Sequence, residues 1–194
     1  MNKTQEAKER AEVTELGFWT YLMTDIMLFA SLFATFMILR QATNGGPGGH
    51  ELFDLGYALA ETFILLASSL TCGLALISLR FKKRTQALVF LAATIALGGY
   101  FLGLEIHEFS QLIAEGHGPN ASAFLSAFFT LVGTHGLHIF IGLTWGITLG
   151  ILIFKRGIDS GVARRFGLFA LFWHFLDIIW IFIFTVVYII GGRL

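Results

Sequence analysis

Five ionisable residues fall inside long apolar runs: Asp25, His135, His138, His174 and Asp177. His135/His138 and His174/Asp177 are i,i+3 pairs, so each pair shares one helical face. Imidazoles and carboxylates placed this way support three kinds of chemistry. They can neutralise one another as buried charges, relay protons, or hold a haem iron between two helices. A second group, Glu61, Glu105, His107 and Glu108, gathers near the ends of two other apolar runs. Asp25 has no polar neighbour on its own helix beyond Thr24, so it requires a partner from another helix or a proton. A hydrogen bond to His135 or His138 is expected, with His174–Asp177 anchoring the last helix.

The elements that position these groups follow from run length. The chain has 194 residues, 56% hydrophobic and 13% charged, with 21 Phe. Charged residues are about half as frequent as the soluble average of about 25%, too few to cover a soluble exterior. A spanning helix needs about 20 apolar residues, since each adds about 1.5 Å across a hydrocarbon layer of about 30 Å. Five runs qualify: Gly17–Leu39, Tyr57–Leu79, Ala87–Ile113, Ala123–Phe154 and Phe166–Ile190. The expected fold is an all-α integral membrane protein, a bundle of five transmembrane helices (residues 17–194) behind a charged segment, residues 1–16. The third and fourth runs exceed the required length, so tilt or projecting ends are expected. The first run is too long for a signal-peptide core and reads as a retained helix.

Counting the rise from each helix start sorts the ionisable groups by depth. Asp25, His135, His138, His174 and Asp177 form a mid-to-inner layer, with Asp25 about 12 Å in. Glu61, Glu105, His107 and Glu108 form an outer layer close to the headgroups, where charge is tolerated. Gly142, Gly146 and Gly150 recur every fourth residue, a stripe that lets a neighbouring helix approach. Trp and Tyr near span ends read as interfacial anchors. The Gly45-Gly46-Pro47-Gly48-Gly49 connection reads as a mobile turn-rich loop.

Orientation follows from the cations. Lys3, Lys8 and Arg10, then Arg80, Lys82, Lys83 and Arg84, then Lys155, Arg156, Arg164 and Arg165 fall on one side; only Arg40 and Arg193 fall on the other. The positive-inside rule puts the N-terminus in the cytoplasm and the C-terminus in the periplasm.

Zero formal net charge excludes the basic excess of a nucleic-acid binder. The lone Cys72, inside an apolar run, reads as a packed side chain, and a single Cys excludes a disulfide scaffold. No zinc or iron–sulfur cluster pattern and no P-loop, nucleophile-elbow or H-E-x-x-H motif is present. Three classes compete: a structural subunit with self-satisfying buried charges, a haem b membrane anchor of a respiratory dehydrogenase using His135 or His138 with His174, and a proton-linked transporter. An odd number of spans and the absence of Pro-broken helices weigh against the transporter.

Four motifs then carry a resemblance. They are Phe18-Trp19-Thr20-Tyr21-Leu22-Met23-Thr24-Asp25, Glu61-Thr62-Phe63-Ile64-Leu65-Leu66-Ala67-Ser68-Ser69, Phe128-Phe129-Thr130-Leu131-Val132-Gly133-Thr134-His135-Gly136-Leu137-His138, and Trp173-His174-Phe175-Leu176-Asp177-Ile178-Ile179-Trp180. Over residues 17–192 the chain resembles subunit III of haem–copper terminal oxidases, in the five-helix bacterial form. Leu104-Glu105-Ile106-His107-Glu108-Phe109 is most similar to the cytochrome bo-type ubiquinol oxidase version. Asp25 stands where many cytochrome c oxidase relatives have Glu.

The resemblance implies a multi-pass protein of the bacterial inner membrane that serves aerobic respiration. It implies a complex that oxidises ubiquinol, reduces oxygen to water and translocates protons; subunit III of a cytochrome c oxidase is the alternative. It further implies no catalytic, cofactor or metal residue in this chain, with haems and copper in subunit I. Implied partners are subunit I directly, subunit II, a small fourth subunit and phospholipids. The ionisable groups then become helix-linking residues.

Overall fold

A computed structural model describes the backbone of residues 3–193 and the side chains of Glu9 and residues 12–192. The basic side chains of Lys3, Lys8, Arg10 and Arg193, which enter the orientation argument, lie outside those described. The described residues form α1 (Lys3–Leu39), α2 (Gly49–Leu52), α3 (Leu55–Arg80), α4 (Arg84–Ala114), α5 (Ala123–Arg156) and α6 (Ser160–Ile183). A π-helical segment (Phe184–Ile190) and a 3-10 turn (Gly191–Arg193) follow. Five stretches are long and apolar enough to cross a membrane: Glu12–Leu39, Leu55–Arg80, Arg84–Ala114, Ala123–Arg156 and Ser160–Ile190. They alternate in direction. One end of the bundle carries the start of α1 and the α3–α4 and α5–α6 turns. The far end carries the 40–54 and 115–122 connections and the end of α6.

Several boundaries differ from the run lengths, each for a local reason. Residues 3–16 continue α1 instead of forming a separate segment, because Ala, Glu, Lys, Arg and Gln favour helix without needing an apolar environment. The last helix begins at Ser160, six residues before its apolar run. Asp159 caps it, its carboxylate accepting from the Val162 N–H at 2.6 Å. Arg164 and Arg165 therefore sit in a helical turn and not in a loop. Asp54 caps α3 through the Gly56 and Tyr57 N–H groups, and Ser122 caps α5 through that of Leu125. At the end of α4, Gly116 adopts φ 83° while the His117 N–H returns to the Leu112 carbonyl.

The glycine-rich connection is packed only at its last residue. Gly45 and Gly46 are exposed, whereas Gly49 opens α2 and lies so close to the chain's end that a Cβ there would sit 2.6 Å from the Gly191 carbonyl oxygen.

Packing is led by aromatic rings. α3 pairs with α4, α5 lies between α1, α4 and α6, and α6 lies between α3 and α5, while α1 leans mainly on α5. Trp173, Trp180, Phe29, Phe101, Phe128 and Phe169 are all but fully buried. Met23, Ile26, Met27 and Ile38 of α1, and Phe140 and Ile141 of α5, face outward, as suits a protein bathed in acyl chains. At the N-terminal end, Arg84 donates to the Phe154 carbonyl and lies over its ring, tying α4 to α5.

Candidate functional site

The carboxylate of the first span faces α5. His138 Nε2 lies 3.6 Å from Asp25 Oδ2, and the residues are 9% and 6% exposed. His138 Nδ1 is 2.7 Å from the Thr134 carbonyl, which can only accept, so Nδ1 carries a proton. Pairing with Asp25 therefore needs a single proton between Nε2 and Oδ2, held on either side. Phe29, one turn beyond Asp25, packs its ring 5.3 Å from the imidazole. Tyr21, one turn before Asp25, interacts with the carboxylate from the same helix. The i,i+4 spacing of Tyr21 and Asp25 carries this contact in the sequence, although Tyr21 also lies near a span end, where anchors are common.

Of the two candidate histidines, then, His138 and not His135 stands opposite Asp25. His135 is fully buried, and neither ring nitrogen has a hydrogen-bond partner. It sits among the rings of Phe29, Phe101 and Trp180, at centroid distances of 6.4, 5.9 and 5.3 Å.

The last span is tied to α3 by a polar ladder. Trp173 Nε1 donates to Ser68 Oγ and Trp180 Nε1 to Thr62 Oγ1, both at 3.0 Å. His174 Nδ1 and Ser69 Oγ are 2.6 Å apart. Ser68 Oγ in turn reaches the Thr94 carbonyl of α4 at 3.2 Å. His174 is thus hydrogen-bonded to α3, while Asp177 keeps Oδ1 without a hydrogen-bond partner. Trp173 and Trp180, both away from the span ends, are core residues. Spacing held part of the signal, since Trp173 and Trp180 lie seven residues apart and their acceptors Thr62 and Ser68 six, about two turns in each helix.

The glycine stripe faces inward but receives side chains. A Cβ on Gly142 would lie 2.9 Å from the Trp173 ring, and one on Gly146 would lie 3.2 Å from that of Phe169. At Gly150 the nearest atom, on Leu91, is 3.5 Å away, an ordinary contact.

The second acidic group divides. His107 is exposed on the outside of α4. Glu61 and Glu105 are 0% and 2% exposed, and Glu108 accepts from the Tyr188 hydroxyl at 2.9 Å. The three carboxyls interact electrostatically with one another. They point into the bundle at its far end and not outward to the headgroup level expected from their depth. α3 and α4 run antiparallel, and both turn these residues toward α5 and the π-helical end, a rotation that depth counting does not contain.

The imidazoles are not paired as haem ligands would be. His135 is enclosed by rings and His138 Nε2 faces Asp25 at 3.6 Å, while His174, bonded to Ser69 through Nδ1, keeps Nε2 free. Among the described residues, no cluster of three His, Cys, Asp or Glu is arranged to hold a metal ion.

Residues 4–192 match the sequence family described as Cytochrome c oxidase subunit III. The chain is 54% identical over 179 residues to a Pseudomonas aeruginosa protein named Cytochrome bo(3) ubiquinol oxidase subunit 3, covering 92% of this chain and 86% of the relative. A Bacillus sp. (strain PS3) protein named Cytochrome c oxidase subunit 3 is 46% identical over 190 residues, 98% of this chain and 90% of the relative. A Bacillus spizizenii protein named Quinol oxidase subunit 3 is 43% identical over 183 residues, 94% and 90% of the two chains.

Proposed function

The chain belongs to the cytochrome c oxidase subunit III family, and we propose that it is the non-catalytic structural subunit of a proton-pumping haem–copper quinol oxidase. It is a multi-pass membrane protein with five spans, and its relatives are bacterial, which points to the inner membrane. Such a subunit works as part of a complex with other oxidase subunits. The observation that carries the quinol reading is the 54% identity, over 92% of this chain, to a relative named for ubiquinol oxidation. One relative at 46% identity is named for cytochrome c oxidation, and it supports a cytochrome c oxidase as the second reading.

Within that complex, haems and copper belong to subunit I. This chain packs on subunit I, assembles with subunit II and a small fourth subunit, holds phospholipids and sustains proton uptake. Asp25–His138 and the α3–α6 ladder keep its helices in register for that task. The N-terminus faces the cytoplasm, in keeping with the cations at that end of the bundle. The haem-anchor reading loses ground because its candidate partners for His174 are enclosed, as His135 is, or face Asp25, as His138 does.

The test is to purify the native assembly through a tag on this chain, identify the co-purifying polypeptides and assay both donors. Co-purification of a haem–copper subunit I with quinol-dependent oxygen uptake is expected. Recovery of the chain without oxidase subunits, carrying its own haem spectrum, would overturn the proposal.

A further inference from the structure

At the far end of the bundle, carboxyl side chains share an interior that offers them few donors. Both oxygens of Glu61 and Oε2 of Glu105 are buried without a hydrogen-bond partner. No Lys or Arg among the described residues forms an ion pair with them. Oxygen atoms in this position, with no donor from the protein and none from lipid, call for water or a proton of their own.

The surroundings supply room and a route. Gly136 of α5 leaves the space that Glu105 occupies, since a Cβ there would lie 2.5 Å from Oε1 and 2.9 Å from Oε2. A cavity of about 160 Å³ opens at the same end, lined by Asp54, Tyr57, Glu108, Gln111 and Glu115. One water needs about 10–15 Å³ of such space, so it holds several. Glu108 belongs to both regions. It lines the cavity, interacts with Glu61 and Glu105, and takes the Tyr188 hydroxyl from the π-helical segment. Widened helical turns of this kind recur at functional positions.

We propose that Glu61, Glu105, Glu108 and Tyr188 form a hydrated, proton-holding site inside the bundle, entered through this cavity, with water and exchangeable protons as its ligands. The groups that face it are Tyr57 and Glu61 from α3, Glu105 and Glu108 from α4, Asp54 from the preceding loop and Tyr188 from the chain's end. On α5, His135 adjoins Gly136 with both nitrogens unbonded. Each proton moves between a carboxyl oxygen and water, with no electron transferred. The site is separate from the Asp25–His138 contact and does not depend on which donor the oxidase uses.

Two measurements on the intact complex test this. Radiolytic labelling in isotope-enriched water marks side chains that touch bound water. Tyr188 and Trp173 are 3% and 1% exposed, and indole is the more reactive ring, so a dry interior favours Trp173. Several-fold greater labelling of Tyr188 is expected; labelling no greater than that of Trp173 would overturn the proposal, without any variant. Infrared spectra in H2O and D2O then read protonated carboxyls. Glu61→Gln and Glu105→Gln should each remove part of the deuterium-sensitive carboxylic-acid band, in complexes that retain their full set of subunits. A band unchanged in both variants would equally overturn the proposal.

Discussion

Ser68→Ala tests whether the α3–α6 ladder holds the bundle together. Ser68 is fully buried, and its hydroxyl joins three helices, accepting from Trp173 Nε1 at 3.0 Å and reaching the Thr94 carbonyl at 3.2 Å. Alanine leaves the indole N–H without an acceptor. In a water-soluble core an orphaned donor costs about 1–3 kcal/mol. Between spanning helices the average is nearer 0.6 kcal/mol, with a ceiling of about 1.7, because separated helices find other partners in the membrane.

Local packing decides where in that range this site falls. The Trp173 ring is held between Gly98 and Gly142, where added Cβ atoms would lie 2.7 and 2.9 Å away. It cannot swing to a new acceptor, so the value belongs near the ceiling, about 1.5 kcal/mol, or roughly tenfold in the equilibrium. The assay is a double-mutant cycle with Trp173→Phe, which keeps most of the ring and removes the N–H. Stability is read as the denaturant midpoint for loss of the subunit from the detergent-solubilised complex. A coupling energy of about 1–1.5 kcal/mol is expected. A coupling within the roughly 0.3–0.5 kcal/mol typical of independent sites refutes the reasoning.

Three further outcomes follow from the same geometry. Asp25→Ala leaves His138 facing an unfilled position; an orphaned buried polar group costs about 1–3 kcal/mol, so the subunit should loosen and the oxidase inactivate sooner during turnover. Haem content should stay unchanged, and loss of haem from the purified complex would count against the scaffold role. Gly142→Ala should destabilise by about 1–3 kcal/mol through overpacking against Trp173, whereas Gly150→Ala, with Leu91 at 3.5 Å, should be close to neutral; equal effects in thermal release would contradict the packing account. Asp159→Ala should cost about 1 kcal/mol and speed amide exchange over residues 160–164, with no change elsewhere in α6.

Much of the architecture was legible in the sequence, because crossing a bilayer constrains length more strictly than folding in water does. Five apolar runs gave five spans, and the i,i+3 spacing placed His135/His138 and His174/Asp177 on helix faces. Rotation about each helix axis was not legible. These helices are apolar nearly all round, so no amphipathic stripe marks the inward face. Counting depth could not choose between His135 and His138, nor show that Glu61 and Glu105 point inward while His107 points out. The inward role of Trp173 and Trp180 was not legible for a related reason. Tryptophan is common at both the interface and the core, and only the hydroxyls at Thr62 and Ser68, seen across the α3–α6 contact, separate the two.

Polar contacts are spread unevenly over the bundle, and the spread bears on what Asp25 does. α6 is joined to α3 by three side-chain hydrogen bonds and packed by rings on both sides. Among the described residues, no comparable ladder joins α1 to its neighbours. It is the least buried of the spans, and its polar link to α5 is the 3.6 Å approach of Asp25 to His138. A lone carboxylate is a costly way to hold a helix unless position matters more than strength. That contact marks the register of α1 along α5, with Phe18 packed on Trp145 below it. Phe29 against His138 and Phe36 against Phe124 then fix the helix above it. The outward row of Met23, Ile26, Met27 and Ile38 is left facing lipid or a neighbouring subunit. The weakest-docked helix is where a buried polar contact has the most to position.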